Sequence, residues 1–166
     1  MLATSLKICS KAQEVLIVRK LFMASSVLQD IVFAGPGSEQ LRGQSCKNLG
    51  KCNTQTPKLS KDDLQNKLQA LPAWQVNEAT TTLTRTFTAK SFVAAVKFFN
   101  QVAEVAEEEG HHPDLHLTDY REVRVVLSTH AIGGLSMFDA ILAAKIDALS
   151  VDYSPKWLQQ QAQTSS

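Results

Sequence analysis

The amino-acid sequence predicts an α+β fold of two layers, in which a four-stranded antiparallel sheet carries three helices on one face in the order α-β-β-α-β-β-α. Three observations lead there. Two stretches rich in threonine and valine each double back as hairpins, and three stretches repeat apolar residues at every third or fourth position. No strand leads through a Gly-rich loop into a helix, so a nucleotide fold has nothing to rest on.

The first helix starts at Ser60, a good N-cap with Asp62 and Asp63 in its first turn. Leu64, Leu68 and Leu71 share one face before Pro72 ends it. Residues 74–76 and 81–88 then alternate across Asn77-Glu78, the pattern of a hairpin. Residues 91–109 turn helical, with Phe92, Val93, Val96, Phe99, Val102, Ala103 and Ala106 read as the inward face and Lys97, Gln101 and Glu104 as the wet one. Gly110 stops that helix. Residues 114–118 and 123–129 make the second hairpin around Asp119-Tyr120-Arg121. After Gly133-Gly134, Ser136 caps a last helix over 137–149 with Ile141, Leu142, Ile146 and Leu149 inward.

Charge divides the 166 residues into a body and appendages. Residues 1–57 carry a formal charge of +4 and residues 58–166 carry −3, so the body lacks the clustered Lys and Arg that a nucleic-acid surface needs. The boundaries read as an N-terminal extension at 1–57, a folded domain at 58–150 and a tail at 151–166. The extension begins basic, hydroxylated and acid-poor, the composition of an organelle transit peptide, with mitochondrion and plastid both compatible. Its apolar stretches are too short and too interrupted to span a membrane. Residues 35–57, polar and rich in breakers, read as a linker. Deleting residues 1–57 is therefore expected to leave stability nearly unchanged. Cys9, Cys46 and Cys52 all lie in the extension, so the body folds without disulfides, and their spacing does not suit a zinc knuckle.

All four histidines fall between His111 and His130. Histidine gives and takes a proton near neutral pH, so gathering the whole supply beside carboxylates points to proton transfer or to a metal. His111 and His112 stand where a long helix meets a strand, and Pro113 keeps His112 out of the α region. His130 ends the return strand, which the hairpin brings back beside His111 and His112, so three imidazoles share one rim. His112 and His116 have the spacing of helical metal ligands, but the intervening Pro113 argues against that helix. No metal and no cofactor is expected. His116 reads as ordinary surface. With no serine or cysteine nucleophile elbow alongside, general acid and base work on a small molecule is the reading the residues favour.

The run Ala106-Glu107, then His111-His112-Pro113, Leu127-Ser128-Thr129-His130 and Gly134-Leu135-Ser136 with Asp139 resembles the pterin-4a-carbinolamine dehydratases over residues 58–149. Its wording is similar to organellar plant and algal members, and Leu115 stands where many members have an aromatic. The resemblance implies dehydration of a 4a-hydroxytetrahydropterin, of biopterin or folate type, to the quinonoid dihydropterin, recycling the cofactor of aromatic amino acid hydroxylases. It makes His111, His112 and His130 the catalytic residues, with His111 and His130 as the acid and base pair in either order and His112 holding the pterin. Glu107 and Asp139 support them by orienting or polarising the imidazoles. Pro113 and the backbone of Thr129, Ala131 and Ile132 join the histidines in receiving the pterin. It also implies a homodimer or homotetramer, and leaves room for a protein partner in a coactivator or assembly role on the same fold.

Overall fold

Three serines open three helices by the same device. The hydroxyls of Ser60, Ser91 and Ser136 accept from the amides of Asp63, Ala94 and Phe138, satisfying donors that the first helical turn leaves without partners. In the computed structural model, which describes residues 34–164, these helices are α2 (Lys61–Ala70), α3 (Phe92–Glu109) and α4 (Met137–Asp147). Strands β1 (Trp74–Val76), β2 (Leu83–Thr88), β3 (Asp114–Thr118) and β4 (Glu122–Leu127) form one antiparallel sheet in the order β1-β2-β4-β3. The predicted α+β architecture and its element order stand.

Sheet and helices meet over an apolar core. Leu83, Phe87, Val123, Val125 and Leu127 alternate inward from β2 and β4, and Phe98, Ile141, Leu142 and Ile146 come down from α3 and α4. The rings of Phe87 and Phe98 meet edge to face with centroids 5.1 Å apart. One inward position of β2 is charged: Arg85 is buried against the Asp147 carboxylate at 2.8 Å, which also accepts from Trp74 Nε1. Burial pushes the Asp147 carboxyl up to about 6, against the opposite pull of Arg85 and the indole N–H.

The face of α3 differs from the sequence reading. Its buried residues are Ala95, Phe98, Val102, Ala106 and Glu109, whereas Phe92, Val93, Val96 and Ala103 lie exposed. The first two turns are apolar almost all round, so periodicity alone offered two stripes, and packing on Phe87 selects the one through Phe98.

Both appendages also differ where they are described. Residues 34–57, read as a linker, belong to the same packed unit as the body. They contain a short helix α1 (Ser38–Arg42) and a 3-10 turn (Cys46–Leu49), with Leu41 and Cys46 buried. Cys46 packs with Phe138 and Ile141 of α4. Deleting residues 1–57 would strip the buried Leu41 and Cys46 side chains from the core, so the packing predicts a loss of stability in place of the nearly unchanged stability expected from the sequence. Residues 151–166, read as a tail, bury Val151, Tyr153 and Ser154 and continue into helix α5 (Pro155–Thr164), whose Trp157 stacks on Tyr153. The transit-peptide reading falls largely on residues 1–33, outside the described residues. No helix among the described residues is long and apolar enough to cross a membrane.

Candidate active site

The last turn of α3 fixes where the histidines begin. Gly110 adopts the left-handed conformation at φ 65°, which costs glycine nothing, and both its amide and that of His111 return to the Ala106 carbonyl. The chain leaves this cap directly into His111-His112-Pro113 and β3. Asp114 pairs with Val126 as the last rung of the β3–β4 ladder, so His111 lies three residues before that rung and Thr129 three residues after it, at the same end of the hairpin.

Asp139 joins the two sides. It sits in the first turn of α4, fully buried, where its side chain completes a capping box with Ser136. Its Oδ1 lies 2.8 Å from His111 Nε2, and its Oδ2 accepts from the Thr129 hydroxyl at 2.7 Å and the Ser136 amide at 2.8 Å. A carboxylate only accepts, so the His111 bond requires the proton on Nε2 and leaves a lone pair on Nδ1 of the neutral ring. His111 is itself buried, with its ring 5.7 Å from that of Phe138. Helix start, cap and imidazole are thus parts of one hydrogen-bonded unit.

The other histidines are held differently. His112 Nε2 meets Glu107 Oε1 at 3.0 Å, with both side chains exposed. His130 is exposed and opens a 3-10 turn (His130–Ile132), and among the described residues its imidazole has no hydrogen-bond partner. That turn is closed at its base by the Thr129 amide donating to the Gly134 carbonyl at 2.9 Å, while Lys58 Nζ donates to the Gly133 carbonyl at 3.3 Å. The structure therefore joins His111, Asp139 and Thr129 directly, ties His112 to Glu107, and carries His130 on the residue next to Thr129. Pro113 and Ile132 are half-buried, Ala131 is exposed, and Thr129 directs its side chain to Asp139. His116 is half-buried on β3, opposite Arg124. Among the described residues, no three His, Cys, Asp or Glu side chains are grouped as metal ligands.

One residue beside the site escaped the sequence reading. Glu109, last in α3, is buried, and its carboxylate holds Lys145 Nζ at 2.7 Å, the Cys46 amide at 2.6 Å and the Ser45 hydroxyl at 3.1 Å. Burial alone would raise its pKa, but the Lys145 ammonium and the two other donors outweigh this and hold it below the usual carboxylate range. Neighbouring Cys46 is pushed up to about 12, first by burial and then by the Glu109 charge, so it is a thiol and not a thiolate. A run of three glutamates at a helix end reads as a solvated face, and only its period with Ala95, Phe98, Val102 and Ala106 marks the third as inward.

Comparison with known proteins follows the same outline. Residues 57–149 match the family model described as Pterin 4 alpha carbinolamine dehydratase. The Arabidopsis thaliana protein named pterin-4-alpha-carbinolamine dehydratase 2, mitochondrial, is 41% identical over 111 residues, covering 65% of this chain and 59% of that protein. A Marinobacter nauticus protein, provisionally named for the same dehydratase, is 42% identical over 108 residues, covering 64% of this chain and 94% of its own length. The crystal structure of a transcriptional coactivator/pterin dehydratase from Brucella melitensis superposes with a TM-score of 0.52 at 34% identity, over 55% of this chain and 97% of that one.

Proposed function

The chain belongs to the pterin 4 alpha carbinolamine dehydratase family, a family of hydro-lyases, and from that premise we propose that it dehydrates a 4a-hydroxytetrahydropterin to the quinonoid dihydropterin by histidine acid and base catalysis. In that reaction the C4a–O and N5–H bonds break and a C4a=N5 double bond forms. The hydroxyl needs a proton in order to leave as water, and N5 must give one up.

The buried His111–Asp139 pair carries this reading. With Nε2–H bound to the carboxylate, His111 presents Nδ1 as a base of fixed tautomer, and Asp139 stabilises the imidazolium that forms when the N5 proton arrives. His130, exposed and carrying no competing bond among the described residues, is the acid that protonates the 4a hydroxyl. His112, tethered by Glu107, grips the pterin. Catalysis of this type contributes about 10² to 10⁴ in rate for each proton transfer. Following the ultraviolet decay of transiently generated 4a-carbinolamine with and without the protein tests it: acceleration supports the proposal, and decay at the spontaneous rate sinks it.

Homo-oligomerisation is part of the proposal. β3 is an edge strand with unpaired backbone groups, and Phe92, Val93 and Val96 form an exposed apolar stripe on α3. Size-exclusion chromatography with light scattering measures the state directly. A purely protein-binding role on this fold makes no demand on a buried imidazole–carboxylate pair, and the presence of that pair favours the enzyme. The basic leader supports an organellar destination, which a fluorescent fusion of residues 1–57 tests by location.

A further inference from the structure

The segment between Ser45 and Pro57 lies outside all but the edge of the family match, yet the fold seats it beside the histidines. Cys46 is 1% exposed between Phe138 and Ile141, and its amide is held by Glu109, two residues before His111. The segment is thus fixed at the root of the site. Two clefts open along it. One, of about 560 Å³, is lined by Lys47, Gly50, Lys51, Cys52, Glu109 and Gly110. The other, of about 370 Å³, runs from Lys51 and Asn53 to Met137 and Phe138. Lys51 borders both. Gly110, in the wall of the first, is the chain neighbour of His111, and Phe138, in the wall of the second, packs against the His111 ring, so each cleft shares a wall residue with the seat of that histidine.

Charge gives these clefts a sign. Glu109 is the one carboxylate among their lining residues, and Lys145, the Cys46 amide and the Ser45 hydroxyl already neutralise it within the fold. Lys47 and Lys51 form no ion pair among the described residues. The 560 Å³ cleft thus carries two exposed ammonium groups, and the 370 Å³ cleft one of them, with no paired carboxylate, a charge that attracts anions. Both volumes lie within the range of small-molecule sites.

We infer that this N-terminal segment supplies a substituent subsite, in which Lys47 and Lys51 recognise a carboxylate or phosphate carried on the 6-substituent of the pterin whose ring lies on the histidine rim. The inference rests on the dehydratase reading for the position of the ring. It makes the chain selective for anionic pterins over the neutral dihydroxypropyl type. Each lysine contributes about threefold to tenfold in affinity, as an ammonium contact at a partly exposed rim does.

The test uses the full chain and three stable dihydropterins, read by pterin fluorescence. These are 7,8-dihydrobiopterin with a neutral substituent, 7,8-dihydrofolate with carboxylates, and dihydroneopterin monophosphate with a phosphate. One or both anionic compounds should bind at least about tenfold tighter than dihydrobiopterin, with the preference shrinking at high salt. The stronger of the two identifies the anion. In Lys47→Ala/Lys51→Ala the ratio of anionic to neutral affinity should collapse towards one, and in Lys51→Glu it should fall below that of Lys51→Ala. Binding of all three with equal affinity, or a ratio that survives the double variant, overturns the subsite and leaves the dehydratase reading standing. Binding of none overturns both.

Discussion

Asp139→Asn isolates the pair at the centre of the site. The variant amide has one acceptor oxygen, and in the native fold three donors, Thr129 Oγ1 at 2.7 Å, the Ser136 amide at 2.8 Å and the Ser136 hydroxyl at 3.3 Å, converge on Oδ2. The asparagine carbonyl takes that place, which turns its NH₂ towards His111 Nε2. Two donors cannot share a hydrogen bond, so the ring shifts its proton to Nδ1 and Nε2 becomes the acceptor. The base then lacks a lone pair where the substrate needs it. The expected loss in kcat is the general-base contribution, about 10² to 10⁴, comparable in kind to the roughly 10⁴ lost when the orienting aspartate of a serine-protease triad is made asparagine. Stability should fall by about 1–3 kcal/mol, since bonds to a charged acceptor become bonds to a neutral one. Stopped-flow decay of the carbinolamine reads the first effect and urea unfolding the second. Thr129→Val supplies the contrast: it removes a donor from Oδ2 and leaves His111 Nε2 at Oδ1, so it should cost about 1 kcal/mol in stability but less than tenfold in kcat. If Asp139→Asn is folded and turns over within threefold of wild type, the tautomer argument is wrong.

His111→Ala and His130→Ala should each lower kcat with modest change in KM, His112→Ala should raise KM more than it lowers kcat, and the first two together should cost far less than the product of their single losses. Compared with a chain that begins at residue 34, removal of residues 1–57 strips Cys46 and Leu41 from the core and should lower stability by about 2–5 kcal/mol; equal urea midpoints for the two truncations would mean the segment does not dock. Glu109 is held below its unfolded pKa of 4.5, so its contribution is fully present above that value and is lost as the pH falls through the lower folded value. Glu109→Gln should therefore be about 1–3 kcal/mol less stable than wild type near neutrality and converge with it in acid, and curves that stay parallel across the acid range would contradict the assignment. Activity should survive exhaustive chelation, and its loss with recovery on adding zinc would replace the acid and base account by a Lewis-acid one.

How legible each part was follows from how locally it is encoded. Ser60, Ser91 and Ser136 cap their helices through atoms two or three residues away, and the strands alternate, so element order and sheet type could be read directly. The hairpin that returns Thr129 to the end of the sheet where His111 stands followed from strand lengths alone. The inward face of α3 did not, because Phe92, Val93 and Val96 are as apolar as the residues that pack, and only the position of Phe87 across the interface decides between the stripes. Docking of residues 34–57 rests on isolated contacts, chiefly Leu41, Cys46 and Glu109, with no period to reveal them. Helix α5 did leave a signal: Ser154-Pro155 is a favoured helix start, and Trp157, Leu158 and Gln161 recur at helical spacing. The buried hub at Asp139 was reached through family resemblance, since a capping aspartate looks the same in sequence whether or not an imidazole stands behind it.

The most direct test is carbinolamine decay itself. With an aromatic amino acid hydroxylase generating 4a-hydroxytetrahydropterin, the full chain should accelerate its ultraviolet decay in proportion to protein concentration, and His111→Ala/His130→Ala should return the decay close to the spontaneous rate. Decay unchanged by the wild-type protein, or acceleration undiminished in the double variant, would contradict the account.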